Sequence, residues 1–121
     1  MNEIFVFGSN LAGRHGAGSA REAYIYYGAR YGVGFGRTGN AYAIPTKDRQ
    51  LKRLPLEEIK PHVDEFLAYA RHNSAQVFWI VDIGCGLAGY SPKEIAPLFR
   101  GASDNCVFIG ALDALVIRLG G

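Results

Sequence analysis

The chain has 121 residues, of which 49% are hydrophobic and 20% are charged, and its formal net charge is +2. This length and composition fit one globular domain with a hydrophobic core, and the small net charge argues against a nucleic-acid partner. No apolar run reaches the roughly 20 residues of a membrane span, and the first residues lack the features of a signal peptide. We therefore expect no membrane partner and a cytoplasmic location.

The first part of the chain alternates apolar runs with glycine-rich segments. Ile4–Phe7 predicts a short buried strand, and the polar stretch Gly8–Gly18 predicts a loop. From Ser19 to about Tyr31, small and aromatic residues recur at helical spacing and predict a helix. A second glycine-rich loop is expected at Gly32–Asn40. It precedes a second strand, Ala41–Ile44, which the following proline is expected to end.

The middle of the chain predicts a linker, a helix and a buried strand. Leu51–Leu56 is the expected linker. Glu57–His72 carries an apolar stripe at helical spacing, and Pro61 is expected in the first turn of this helix. Gln76–Ile83 is apolar on both faces, which is typical of a strand inside a parallel sheet.

The last elements complete an alternating pattern. A capping box at Ser91–Glu94 predicts a helix start, and that helix is expected to run to about Phe99. Asn105–Ile109 predicts a strand, and Ala111–Leu119 favours a terminal helix over a strand. The order β-α-β-α-β-α-β predicts a single three-layer α/β/α domain over residues 1–121, with a mainly parallel or mixed sheet.

Glycine-rich segments are expected at the edge of the sheet where ligands bind. These segments are Gly8–Gly18, Gly32–Gly39 and Gly84–Gly89, and ligands of open α/β sheets lie at the carboxyl ends of strands. Two of them lead into helix N-termini, where free N–H groups and the helix dipole favour phosphate. The chain has neither a GxxxxGK[ST] motif nor a clean GxGxxG motif followed by an acid. The pattern therefore favours a small phosphate-bearing ligand over a nucleoside triphosphate or a dinucleotide.

Three segments resemble macro domains. FGSNLAGRHGAGSA (residues 7–20) resembles the loop after the first strand of that family. YAIPTKD (42–48) and IGCGLAGY (83–90) are similar to the branch that contains the terminal ADP-ribose protein glycohydrolases, in which a lysine follows the middle strand and GCGLD forms the phosphate loop. The pattern is also similar to small macro-like proteins of phages and bacteria. The resemblance covers about Ile4 to Ile109.

The resemblance implies a cleft for an ADP-ribose-type nucleotide, which is ADP-ribose, a cyclic ADP-ribose isomer or an ADP-ribosyl group. It implies that the main-chain N–H groups of residues 84–88 wrap the diphosphate, that Asn10 bonds the distal ribose, and that Phe7 lies near the adenosine. It implies that Tyr90 stacks on the ligand or caps it. The implied ligand-binding residues are Phe7, Gly8, Ser9, Asn10, Arg14, Gly16, Ala17, Gly18, Lys47, Gly84, Cys85, Gly86, Leu87, Ala88, Gly89 and Tyr90.

The residue at the acid position of the GCGLD motif decides between binding and catalysis. In the glycohydrolase branch a lysine amine attacks the opened distal ribose, and the motif aspartate assists proton transfer. Lys47 matches that lysine, but Ala88 occupies the acid position. Loss of a general acid or base typically lowers a rate by about 10²–10⁴-fold. Asp48 and His15 are the candidates to replace the acid and complete a catalytic set with Lys47, whereas Asp82 is expected to point elsewhere.

The favoured hypothesis is a module that binds the nucleotide without turning it over. In a phage, the resemblance implies a sponge that sequesters a nucleotide immune signal in the bacterial host cytoplasm. One alternative is an ADP-ribosyl hydrolase that uses Lys47, acting on an ADP-ribosylated macromolecule. Another alternative is a nucleic-acid or protein interaction domain. It is supported by a local group of basic residues, which are Lys47, Arg49, Lys52 and Arg53.

No cofactor and no metal site are expected, because the histidines and cysteines have no ligand spacing. Cys85 and Cys106 form neither a disulfide framework nor a CxxC pair, so both are expected to be reduced thiols. Tyrosines crowd the first predicted helix and could contact a second copy of the chain or flank a base. They are Tyr24, Tyr26, Tyr27 and Tyr31.

Overall fold

The structure is a computed structural model that describes residues 3–113. Its centre is a five-stranded mixed sheet with the strand order β2-β3-β1-β4-β5. The neighbours β3, β1, β4 and β5 are parallel, and β2 runs antiparallel to β3 at the edge. The strands are β1 (Glu3–Asn10), β2 (Gly36–Thr38), β3 (Ala41–Lys47), β4 (Val77–Ile80) and β5 (Cys106–Phe108). The α/β class with a mixed sheet is confirmed.

Three helices connect the parallel strands. They are α1 (Gly18–Tyr26), α2 (Leu56–His72) and α3 (Pro92–Ile95), and a 3-10 turn at Ala96–Phe99 follows α3. The capping box of α3 is confirmed, because the Ser91 hydroxyl accepts from the Glu94 N–H and the Glu94 carboxylate accepts from the Ser91 N–H. The terminal helix expected over 111–119 falls mostly outside the described residues.

The two faces of the sheet carry different cores. Along β1, Ile4 and Val6 face one side, and Phe5 and Phe7 face the other. The first side packs against the apolar stripe of α2 and against α3, whereas the second packs against α1. The stripe of α2 consists of Ile59, Val63, Phe66, Leu67 and Ala70. Different helices therefore pack in the two clusters, and the three-layer, macro-like form of this architecture stays a prediction.

The predicted end of α1 is wrong. The helix stops at Tyr26, before the expected Tyr31, because Gly28 has a left-handed φ of 77°. The backbone of Gly39 approaches Gly28 so closely that a Cβ on Gly39 would lie 2.5 Å from the Gly28 carbonyl oxygen. The chain therefore leaves the helix there and crosses to the sheet edge.

The expected loop at Gly32–Asn40 contains the strand β2. The Arg37 side chain of this strand donates to the Tyr69 hydroxyl at 2.9 Å and to the Gln76 side-chain oxygen at 3.2 Å. These contacts hold a short polar strand that has no apolar pattern of its own. Arg37 therefore has a structural role at the sheet edge.

Two prolines lie inside their elements and not at the element ends where the sequence predicts them. β3 continues through Pro45, where its outer side is free because β2 pairs only with Ala41–Ala43. Pro61 lies in the second turn of α2, not the first, because the helix already begins at Leu56. Pro61 is on the exposed side of the helix, so water can reach the carbonyl that loses its partner there.

β4 is shorter than the expected Gln76–Ile83. It ends at Ile80, and the Ile83 N–H bonds the Val81 carbonyl in a tight turn. Asp82 therefore leaves the ladder and enters the turn after the strand. Within residues 3–113, no helix is both long and apolar enough to cross a bilayer.

Candidate functional site

A cavity of about 720 Å³ lies where β1, β3 and β4 end. The first loop and the GCGL loop meet there, as expected from parallel strands that share an edge. The predicted ligand-binding residues that line it are Gly8, Ser9, Asn10, Arg14, Gly16, Ala17, Gly18, Lys47, Gly84, Cys85, Gly86, Leu87 and Ala88. The loop expected at Gly32–Gly39 contributes no lining residue.

The first loop is closed by its own asparagine. The Asn10 side-chain oxygen accepts from the Arg14 N–H, and the Asn10 amide donates to the Arg14 carbonyl, both at 2.9 Å. Gly13 follows with a φ of 69°, and a Cβ there would lie 2.2 Å from the Gly32 carbonyl carbon. Asn10 thus lines the cavity, but its amide holds the loop rather than standing free for a ribose.

The N-terminus of α1 opens into the cavity without a cap. The N-cap residue is Ala17, which has no side-chain oxygen, and the first turn contains no acid. The N–H groups of Gly18, Ser19 and Ala20 have no partner inside the helix, and no acceptor among residues 3–113 takes their place. All three residues line the cavity, so free donors and the positive end of the helix dipole face it.

The GCGL loop supplies a second set of free donors. Its turns are closed by bonds from the Tyr90 N–H to the Gly84 carbonyl and from the Gly89 N–H to the Gly86 carbonyl. The Cys85 N–H, expected on the diphosphate, instead donates to a carbonyl at 3.1 Å. In the described part of the chain, the N–H groups of residues 86–88 have no acceptor. Three consecutive donors are therefore available at this side of the cavity.

Two cations and one acidic residue line the cavity. Lys47 ends β3 and Arg14 is exposed on the first loop, and neither forms an ion pair within the described residues. Asp82 contributes to the lining because β4 ends before it, but its carboxylate is directed toward residues 110–112, which do not line the cavity, in agreement with the expectation that it points elsewhere. Its carboxylate accepts from the N–H groups of Ala111 and Leu112 at 3.4 and 3.3 Å.

Lys47 and Asp82 lie on opposite sides of the cavity. Lys47 is the last residue of β3, Asp82 follows β4, and β1 runs between these two strands. Two strand spacings separate the corresponding backbones by about 10 Å. Within residues 3–113, no ion pair joins the Lys47 amine to the Asp82 carboxylate.

The other two catalytic candidates lie outside the cavity lining. His15 is 1% exposed, and its Nε2 lies 3.1 Å from the Arg30 carbonyl and 3.2 Å from the Val33 carbonyl. Nε2 must donate to these acceptors, which leaves Nδ1 buried without a partner. The Asp48 carboxylate accepts from the N–H groups of Gln50 and Lys52, which closes a turn.

Three predicted ligand contacts also lie outside the lining. Phe7 is 1% exposed and belongs to the core beneath α1. The Tyr90 hydroxyl donates to the Leu54 carbonyl, and the Arg53 guanidinium lies 4.3 Å above the ring. Gly89 turns the chain toward Tyr90 with a φ of 81°. Gly89 and Tyr90 therefore support the GCGL loop, and Phe7 supports α1.

Cys85 lines the cavity as a protonated thiol. Burial, together with the smaller effects of the charges of Asp82 and Glu94, raises its pKa to about 11. A thiol with this pKa holds almost no thiolate at neutral pH, so Cys85 is a poor nucleophile. This environment agrees with a structural role in the turn.

Sequence reasoning missed part of the lining. The missed residues are Ser19, Ala20, Tyr31, Thr46, Leu51, Val81 and Asp82. Ser19 and Ala20 could have been found from the helix start, and Asp82 from its place directly after an apolar run. Tyr31 belongs to the group of tyrosines that could flank a base, but the sequence did not distinguish it from the others, because a contact between two loops brings it to the cavity.

No cluster of metal-ligating side chains occurs within residues 3–113. No protein-family model, curated protein or solved structure matches this chain.

Proposed function

We propose that this chain binds an ADP-ribose-type nucleotide in the cavity, with the diphosphate held by main-chain N–H groups. The observation that carries the proposal is the pair of free donor sets, at residues 18–20 and 86–88, on one cavity. Main-chain donors at a helix N-terminus and in a glycine-rich turn favour phosphate oxygens. Lys47 and Arg14, which form no ion pair within residues 3–113, add positive charge on the same lining.

The choice of ADP-ribose rests on the resemblance of residues 7–20 and 83–90 to macro domains. The size of the cavity, about 720 Å³, is within the range of about 300–1,000 Å³ usual for small-molecule sites. A cyclic ADP-ribose isomer carries the same diphosphate and is a second ligand of this class. In an infected cell, a phage protein that holds such a signal unchanged would act as a sponge.

The arrangement of acids favours binding over turnover. Ala88 provides no carboxylate at the GCGL loop, and the Asp48 carboxylate is used in a turn. One strand lies between Asp82 and Lys47, so their backbones are at least about 10 Å apart, and within residues 3–113 no ion pair joins them. Lys47 therefore acts as a point charge for phosphate and not as a nucleophile with a proton partner.

The direct test combines calorimetry with recovery of the ligand. Wild-type protein is titrated with ADP-ribose and with its cyclic isomers, and each ligand is then recovered by chromatography. The proposal predicts saturable binding and an unchanged ligand. Lys47→Ala should weaken binding, whereas Lys52→Ala should not, because Lys52 is exposed and outside the cavity lining. Absence of binding to all of these nucleotides would refute the proposal.

A hydrolase is the second candidate, because Lys47 and Asp82 both line the cavity. Its signature is release of ADP-ribose from a mono-ADP-ribosylated protein, lost in Lys47→Ala and retained in Lys52→Ala. Release at the same rate from both variants would assign the activity to other groups or to a contaminant. No release from wild-type protein would leave the binding function alone.

A further inference from the structure

Tyr31 is the one aromatic side chain among the described residues that lines the cavity. Its side chain is 51% exposed. The ring meets His15 at a centroid distance of 5.7 Å and an interplanar angle of 69°, and Tyr24 at 5.5 Å and 77°. Two edge-to-face contacts of this kind fix the plane of the ring and leave part of its surface open to the cavity.

The buried His15 holds the main chain on both sides of Tyr31. Its Nε2 lies 3.1 Å from the Arg30 carbonyl and 3.2 Å from the Val33 carbonyl, which flank the tyrosine. Its ring also packs edge-to-face on Phe7 of the core at 5.4 Å. The position of Tyr31 is thereby tied to the hydrophobic core through one side chain.

Main-chain contacts fasten the same segment to the first loop. The Gly32 N–H donates to the Gly13 carbonyl at 2.8 Å, and the Ser9 hydroxyl donates to the Gly34 carbonyl. A Cβ on Gly34 would lie 2.2 Å from the Asn10 carbonyl oxygen, so only glycine allows this approach. These contacts therefore fix the position of the segment 30–34, and Tyr31 is the one residue of this segment that lines the cavity.

We propose that Tyr31 is the base-recognition residue of the site and stacks on the nucleobase of the bound nucleotide. This inference rests on the proposed function. The free N–H groups and cations account for the phosphates, but the flat apolar base needs a different partner. A half-exposed ring held in a fixed plane provides that surface at little entropic cost. The exposed Leu87 side chain on the GCGL loop offers further apolar area.

The test compares two ligands and three variants by calorimetry. The ligands are ADP-ribose and inorganic pyrophosphate, which lacks a base. The variants are Tyr31→Ala, Tyr31→Phe and Tyr26→Ala, and Tyr26 is a matched control because it is 75% exposed and outside the cavity lining. Thermal unfolding of each variant verifies that the fold is kept.

The inference predicts that Tyr31→Ala weakens ADP-ribose binding by about 5- to 150-fold and leaves pyrophosphate binding unchanged. The affinities of Tyr31→Phe and Tyr26→Ala for ADP-ribose should stay within about threefold of the wild-type value. Tyr31→Phe keeps an aromatic ring at position 31, and Tyr26→Ala leaves Tyr31 unchanged. In proton NMR spectra, the adenine H2 and H8 resonances should move upfield on binding to wild-type protein and not on binding to Tyr31→Ala.

Two results overturn the inference in different ways. The stacking role is wrong, and the proposed function stands, if wild-type protein binds ADP-ribose and Tyr31→Ala binds it equally well. The same conclusion follows if Tyr31→Ala loses as much affinity for pyrophosphate as for ADP-ribose. If wild-type protein binds no ADP-ribose, the proposed function fails and the stacking role fails with it.

Discussion

Replacing Ala17 with Asp should stabilise the protein and weaken its ligand binding at the same time. Ala17 is the exposed N-cap of α1, with an extended backbone and no side-chain hydrogen bond. An Asp in this position accepts from the free N–H groups of the first turn, which is worth about 0.5–2 kcal/mol. Its charge adds about 0.3–1 kcal/mol against the helix dipole. We expect a gain of about 1–2 kcal/mol in the free energy of unfolding, or about 4–8 °C in Tm.

The same carboxylate competes with a phosphate for the same donors. Two unit charges about 5 Å apart repel by about 1–3 kcal/mol at an effective dielectric constant between 80 and 20. Ala17→Asp should therefore weaken binding of ADP-ribose and of pyrophosphate by about 5- to 150-fold. The charge-dependent part of this loss should shrink at high salt, because salt screens exposed charges.

The matched control is Ala17→Asn, which caps the helix without adding charge. Thermal unfolding should give a rise in Tm for both variants, and calorimetry at low and high salt should give the larger loss of affinity for Ala17→Asp. If both variants are stabilised and both bind as tightly as wild-type protein, the anion does not lie at the N-terminus of α1. The reasoning about free donors would then be wrong.

Three further predictions concern stability and reactivity. Gly34→Ala should lower the free energy of unfolding in urea by about 2 kcal/mol or more, because the new Cβ would lie 2.2 Å from the Asn10 carbonyl oxygen. The control Gly16→Ala should lower the free energy of unfolding by less than about 0.5 kcal/mol, because no atom lies within 4 Å of its Cβ. Burial raises the pKa of Cys85 to about 11, so alkylation of this thiol should be slow at pH 7, and fast alkylation of the native protein would contradict this. The contribution of the neutral thiol to stability should be lost as the pH rises from about 9 to about 11. Ser91→Ala should cost about 1 kcal/mol in urea unfolding, because it removes the hydroxyl of the capping box, and an unchanged midpoint would mean that the cap is dispensable.

The fold was predictable wherever a local pattern carried the information. The capping box at Ser91 and the apolar stripe of α2 are both local, and both were predicted correctly. The strand β2 was not predicted, because Arg37 holds it through Tyr69 and Gln76, which lie 32 and 39 residues further along the chain. Contacts at this sequence distance leave no periodic signal in a three-residue strand.

The candidate site was predicted where main-chain geometry alone defines it. Glycine-rich turns after parallel strands converge at one edge, so the lining from the two loops follows from the order of the elements. The direction of a polar side chain in a loop does not follow from the sequence. His15 points into the core and the Asp82 carboxylate turns toward residues 111 and 112, because the end of a strand and contacts between distant segments set their directions.

The most direct measurement of the central claim is a titration of ¹⁵N-labelled protein with ADP-ribose, followed by the main-chain N–H resonances. The proposed function predicts that the largest shifts occur at Gly18–Ala20 and at Gly86–Ala88, where free donors face the cavity. Resonances of the exposed side of α2, such as that of Lys60, should stay in place and serve as the internal control. Unchanged spectra, or shifts confined to residues outside the cavity, would contradict the account.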